Sequence, residues 1–381
     1  MKNIYWAALQ TIPGIGSKTL CRLAEFFKDK TGEHIWQAKA SELEESKCLS
    51  TKTMQAFLNC RRDFSLADLE KDLLKYRINI CTQFDEEYPE SLQEIFDPPF
   101  LLYYQGSLLK QERCIAVVGS RIPTSYGEQI AQMMAYNLAK ADFTIISGAA
   151  KGIDTKAHIG ALKAQKRTIA VLGCGLDIAY PAENAKLLQA ICEQGAVISE
   201  YPLKTLPISG HFPARNRIIN GIAKGILVVE ATKKSGSLIT AELALSEGRD
   251  VFAIPGNIYS AKSQGCHKLI QQGAKLVTSA QDIIEEYEHD IAVKMQNNDT
   301  NIEKEPTLEQ TSLAGLVLSK EEQIIYDNLS FDEPKSADEI IYKLRMDVSN
   351  IAFILLQMKL KGLIKETSPN FYIRAIRECF A

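Results

Sequence analysis

The run HFPARNRIINGIAKGILVVE at residues 211–230, continued by SGSLITAELA at 235–244, decides the fold. Its β-branched core, Ile226 to Val229 ahead of Glu230, reads as a fully buried strand of a parallel sheet. Ser235-Gly236-Ser237 then opens a helix, whose free N–H groups and positive dipole end favour an anion. Upstream, Arg215 and Arg217 flank Asn216. In an extended segment, residues separated by one point to the same face. Both guanidinium groups are therefore expected near the helix start, one of them available to pair with Glu200 or Glu230. Cations beside a helix N-terminus at a strand's carboxyl end suit a phosphate, and the run reads as the floor of a groove for a nucleic-acid backbone.

Outward from this run, from about residue 78, apolar strands alternate with amphipathic stretches. Strands are expected at 78–81, 101–104, 114–118, 144–147, 168–172, 196–199, 226–229, 251–254 and 275–277. This is the rhythm of an α/β domain with a parallel sheet covered on both faces. Ligands bind such sheets in the crevice beyond the strands' carboxyl ends. Four turns at that edge suit close backbone approach: Gly119-Ser120-Arg121, Gly148-Ala-Ala-Lys151-Gly152, Gly173-Cys-Gly175 and Ser235-Gly236-Ser237. Arg121, Lys151, Arg215, Arg217 and Lys234 place cations around the same rim.

The chain's 381 residues suit two or three domains. Nine scattered cysteines without a C-x-x-C pair read as reduced thiols, and with no secretory pattern or long apolar run a cytoplasmic location is expected. Metal ligation by His158 or His211 is not indicated, since neither belongs to a cluster with ligand spacing. The net charge of −3 hides an asymmetry: residues 105–260 carry 17 Lys and Arg against 12 Asp and Glu, whereas 285–309 hold eight acids and two lysines. The middle of the chain is mildly basic, which permits an anionic partner.

Residues 1–78 are helical by pattern, with Ile12-Pro-Gly-Ile-Gly16 between two helices. That turn reads either as a helix-hairpin-helix that offers amides to DNA or as a hairpin that only packs on its neighbour. Past an acidic linker at 288–312, residues 313–381 show three helices and a hairpin, a winged-helix pattern. Its third helix is mostly apolar, which favours protein contact or packing over DNA readout.

The stretches VVGSR (117–121), SGAAKGID with AH (147–158), GCGLDIAYP (173–181), SEYP (199–202), HFPARNRIINGI (211–222), VVEATKKSGSLITAELALSEGRDVFAIPG (228–256) and SQGCHKLIQQGA (263–274) resemble the DNA-processing protein DprA (Smf) family. The resemblance spans the central domain and implies a Rossmann-like core at 79–287. It also implies a SAM/helix-hairpin-helix-like domain at 1–78 and a winged helix at 313–381. It further implies binding of single-stranded DNA, homodimerisation through the central domain, and loading of a RecA-class recombinase during natural transformation. Strand contacts then fall to Arg121 and, with it, Lys151, Arg215, Arg217 and Lys234. Two positions depart from the family's pattern: Ala182 stands where many relatives carry lysine, leaving Lys186 as a substitute, and His267 stands where asparagine is usual.

For each residue a plainer role competes. Arg121 can form a structural ion pair, Lys151 can be solvated, and Ser237 can be an ordinary N-cap. Phe212, Tyr180 and Tyr201 can stack bases or simply pack. No G-x-x-x-x-G-K-[ST] is present and Gly119 starts no G-x-G-x-x-G, so no nucleotide cofactor is expected. The alternative is a nucleotide-processing enzyme like the phosphoribohydrolases, with Glu242 in the position of their motif glutamate; the glycines and proline of that motif are absent here.

Overall fold

The computed structural model describes residues 2–295, 318–330, 334–344 and 347–375. Contacts divide the chain into two compact units, Met1–Pro123 with Ala131–Asp282, and Thr124–Ile130 with Ile283–Ala381. The first begins with short helices α1 (Ile4–Gln10), α2 (Ser17–Phe27), α3 (Glu33–Gln37), α4 (Ala40–Glu45), α5 (Thr51–Asp63) and α6 (Leu66–Lys75). Then follow β1 (Asn79–Thr82), α7 (Glu90–Gln93), β2 (Leu101–Gly106) and β3 (Cys114–Val118). Helix α8 (Ser125–Lys140) leads to β4 (Thr144–Ser147), α9 (Ile153–Lys163), β5 (Thr168–Leu172), α10 (Ala185–Gln194) and β6 (Ala196–Ser199). The return runs through α11 (His211–Ile222), β7 (Gly225–Val228), α12 (Gly236–Ser246), β8 (Asp250–Ala253), α13 (Gln264–Gln271) and β9 (Lys275–Leu276) to α14 (Gln281–Met295).

The nine expected strands form one sheet, ordered β1-β2-β6-β5-β4-β3-β7-β8-β9. From β6 to β9 every pairing is parallel, while β2 runs antiparallel to both β1 and β6. Strands β3 to β7 are buried throughout because both faces are covered, and alternation along β5 shows how. Ile169 and Val171 enter one core with Ile218, Ile219 and Leu238, whereas Ala170 and Leu172 enter another with Leu188, Ile191, Trp6 and Leu9. The amino-terminal helices thus share a hydrophobic core with the sheet. Their glycine turn packs locally: a Cβ on Gly14 would lie 2.9 Å from Thr53 Oγ1 on α5.

The strand order places the crevice. From β3 the chain builds outward through β4, β5 and β6, then α11 carries it back so that β7, β8 and β9 extend the other way. Neighbouring β3 and β7 therefore send their following segments in opposite directions, and a cleft opens beyond their carboxyl ends.

The second unit holds α15 (Lys320–Asn328), β10 (Lys335–Ser336), α16 (Ala337–Leu344), α17 (Val348–Leu360), β11 (Ile364–Ser368) and β12 (Phe371–Arg374), with strand order β10-β12-β11. Ile325, Ile340, Ile351, Leu355 and Met358 form its core. Ser336 and Glu339 form a capping box at the start of α16: Glu339 N–H donates to Ser336 Oγ and Ser336 N–H to the Glu339 carboxylate, both at 3.1 Å. The expected linker at 288–312 starts inside α14, and from 296 onward it lies outside the described residues. Among the described residues, no helix is long and apolar enough to cross a membrane.

Candidate functional site

Beyond β3 and β7 lies a cleft of about 640 Å³, joined by a side pocket of about 170 Å³. Gly119 and Arg121 reach it from the β3 turn, and Ser235, Gly236 and Ser237 from the start of α12. Gly148, Lys151, Gly173 and Cys174 line the side pocket. All four glycine- or serine-rich turns therefore meet at one edge. Arg121 is exposed, its guanidinium carbon 5.3 Å from the centroid of the Phe212 ring, which in turn stacks on Tyr180 at 5.5 Å. It pairs with no carboxylate among the described residues. Facing it, α12 begins with Ser235 as N-cap, whose Oγ accepts from Ser237 N–H at a long 3.4 Å. The first amides of a helix lack intrahelical partners, so this end carries partial positive charge. Gly236 has open space beside its Cα.

The structure corrects the reading of Arg215 and Arg217. Residues 211–222 form helix α11 where an extended segment was expected. At 100° per residue the two arginines lie about 200° apart and cannot share a face. Arg217 points away from the cleft, paired with Glu200 and 3.7 Å from Asp97. Arg215 is only 4% exposed, yet it borders both cavities. Its Nη1 donates to Gly148 O at 2.9 Å and also to Val171 O, and Nε donates to Asn216 Oδ1 at 3.1 Å. It is a strut between the carboxyl ends of β4 and β5. A Cβ at position 148 would run into this guanidinium, which explains the glycine there. Burial pulls Arg215 down to about 10, still charged at neutral pH, and the same burial keeps the neighbouring Asp154 carboxyl raised. Arg215 thus lends the cleft floor positive potential without reaching into solvent.

Asn216 has a comparable double role: it lines the cleft while Nδ2 donates to Thr240 Oγ1 at 2.8 Å, tying α11 to α12. Lys151 is exposed and pairs with Glu183 at 2.8 Å, so its charge is partly neutralised. Ser120 Oγ accepts from Ile122 N–H, and Gly152, at φ 81°, lies against the Ser120 carbonyl; both shape the Arg121 turn from behind. Lys234 is exposed in the loop before α12 and lies off the cleft lining. Lys186, the proposed substitute for the lysine missing at Ala182, is exposed and likewise off both linings. His267 shares the β8 turn, with Nε2 3.0 Å from Gly256 O. Glu242, which the enzymatic alternative needs inside the cleft, sits on the outer side of α12 and pairs with Lys268 at 3.5 Å.

Two features escaped the sequence reading. Pro213 in the first turn of α11 was a usable helix signal, because an early proline loses no intrahelical bond. Lys262 comes from the loop after β8. Its backbone is held by Ala231 N–H donating to Lys262 O at 2.8 Å, and its Nζ lies 3.4 Å from Ser120 Oγ. No spacing rule links positions 120 and 262; only the β3–β7–β8 adjacency brings them together.

Together these features define a mostly parallel α/β protein with a cleft at the switch point of its sheet, lined by two arginines and a helix start. The model of the family "DNA recombination-mediator protein A" matches residues 79–288. The chain is 32% identical to Protein Smf of Synechocystis over 98% of its length and 99% of that protein. It is 51% identical to DNA processing protein DprA of Streptococcus pneumoniae over 54% of this chain and 72% of that one. The solved Streptococcus pneumoniae DprA superposes with a TM-score of 0.65 at 41% identity, covering 75% of this chain and 98% of that one. The Helicobacter pylori protein, described for its single-stranded DNA binding mode, gives 0.51 at 32% identity over 56% and 98%. The chain belongs to the DNA recombination-mediator protein A family, the DprA or Smf proteins.

Proposed function

We propose that this protein binds single-stranded DNA in the cleft beyond β3 and β7, holding the strand by its phosphates and leaving it chemically unchanged. The observation that carries the reading is Arg121: an exposed guanidinium, unpaired with any carboxylate among the described residues, across from the open start of α12. A phosphate between them gains a charge-assisted hydrogen bond on one side and backbone amides on the other. Arg215 adds charge from beneath, and Lys151 contributes less while Glu183 holds it. The Helicobacter pylori relative, whose description concerns single-stranded DNA, supports the same ligand.

Homodimerisation through the sheet-bearing unit, hand-off of the strand to a RecA-class recombinase, and a role in natural transformation complete this reading and rest on family membership. We read the carboxyl-terminal unit as a winged-helix module that contacts protein, in keeping with the near-neutral charge of residues 313–381.

The test is a salt titration of binding to an oligo-dT by fluorescence anisotropy. Each phosphate neutralised adds about 0.7 to the steepness of log K against log salt on a single strand. Arg121→Ala is expected to weaken binding and flatten that slope by about 0.7. A folded variant with unchanged affinity and slope overturns the assignment.

A further inference from the structure

Lys151 is placed like a ligand-binding residue and occupied like a structural one. It lines the side pocket with Arg121, yet its Nζ lies 2.8 Å from Glu183 Oε1. Both turns that carry the pair are fixed. Ala149, at φ 51°, and Gly152, at φ 81°, bend the chain on either side of Lys151, and Ala150 N–H donates to the Asp154 carboxylate at 3.3 Å. Glu183 lies in the short 3-10 turn Ala182–Asn184. Asn184, buried at the end of that turn, donates from Nδ2 to Ala149 O and to Thr155 Oγ1, both at 2.9 Å. One asparagine thus clamps the acid's turn onto the lysine's turn. The two side chains themselves stay in solvent, Lys151 56% and Glu183 70% exposed. Such a pair is held in position by the backbone and is weak as an ion pair, because water screens it. Glu183 lines neither the cleft nor the side pocket, so a phosphate site has no use for its carboxylate as a contact.

We propose that Glu183 is a built-in competitor of the strand: its carboxylate holds Lys151 until a phosphate displaces it, and so limits how tightly the cleft grips. The inference rests on the reading of the cleft as a single-strand site and adds an element that weakens it. A carboxylate and a phosphate accept from the same ammonium group, so they compete for Lys151 directly. With a phosphate on Lys151, Glu183 loses its cation and stands beside a second anion; both effects subtract from affinity. They subtract from salt dependence as well, because the counterion released by the phosphate is offset by one gathered at the freed carboxylate. Arg121, unpaired with any carboxylate among the described residues, takes a phosphate without that exchange. A strand anchored there delivers its further phosphates to Lys151 at high effective concentration, which is how a screened pair of this kind is opened.

The experiment is a double-mutant cycle on the full chain, read by the anisotropy of labelled oligo-dT over a salt series: wild type, Glu183→Gln, Lys151→Ala, and the two together. Glu183→Gln is expected to tighten binding about two- to fivefold, the worth of an exposed ion pair, and to steepen the salt slope by up to about 0.7. In the Lys151→Ala background the same substitution should change neither quantity. An equal gain in both backgrounds overturns the inference, because Glu183 then acts only as a distant repulsive charge. No gain in the wild-type background overturns it as well, and leaves the single-strand reading intact where Arg121→Ala still weakens binding. A loss of affinity in Glu183→Gln also overturns it, since the carboxylate would then be positioning Lys151 for the strand. Absence of salt-dependent oligo-dT binding by the wild type overturns both.

Discussion

Replacing Arg215 by methionine separates a structural arginine from a ligand-binding one. Methionine keeps much of the volume and removes the charge. Three acceptors lose their donor, the carbonyls of Gly148 and Val171 and the Asn216 amide oxygen, and the Asp154 carboxyl loses a nearby positive charge. All lie in a part of the cleft floor too enclosed for water to repair the loss fully, since Arg215 is 4% exposed. Removing one member of a buried, hydrogen-bonded charge arrangement typically costs about 3–5 kcal/mol. Part of this is relieved when Asp154 takes up a proton, toward which burial already pushes it. At a urea m-value of about 3 kcal/mol/M, a loss of this size lowers the midpoint by about 1 M or more. The two tryptophans report the right transition: Trp6 and Trp36 belong to the core that contains Leu172 and Cys174, next along the chain from Val171. Their fluorescence in a urea titration should show the shift for Arg215→Met and none for Arg121→Ala. A midpoint within about 0.3 M of wild type, combined with lost affinity for oligo-dT, would refute the strut and make Arg215 a direct contact.

Two further outcomes follow from the same geometry. Lys262→Ala should flatten the salt slope for oligo-dT by up to about 0.7 without moving the urea midpoint, because its Nζ faces the Arg121 turn through Ser120; an unchanged slope leaves Lys262 a bystander. His158 should make stability depend on pH: burial, with Arg215 adding to it, holds its ring down to about 3. The unfolded chain therefore takes up a proton below about 6.5 that the folded one refuses, and stability falls by about 2 kcal/mol from pH 8 to pH 5. His158→Gln should flatten that profile, and a wild-type protein equally stable at both pH values would show that the folded ring protonates.

The sheet was legible because its signal is local. A parallel strand covered on both faces is an unbroken apolar run, so the inner strands β3 to β7 and the turns after them could be located from composition and spacing. Helix α11 was missed for an opposite reason. Its buried positions, Arg215, Ile218, Ile219 and Ile222, include an arginine, so its apolar stripe is interrupted where the function lies. Lys262 was invisible because its neighbour Ser120 is 142 residues away, joined only by the order of strands.

The two arginines two positions apart show why composition alone could not assign the cleft's charge. Their sequence context suggested exposed phosphate contacts, and neither side chain stands exposed in the cleft. Arg217 meets Glu200 and Asp97 on the far side of α11, so its charge is cancelled where it stands. Arg215 meets two backbone carbonyls and lies near the Asp154 carboxyl, whose pKa burial raises, so its guanidinium is held beneath the floor. A buried cation resting on carbonyl dipoles is costly unless something negative comes to the surface above it. The cleft thus has one arginine in its floor and a second, Arg121, exposed at its rim. Arg121 is free to be the exposed contact because the structural work has been given to a different arginine.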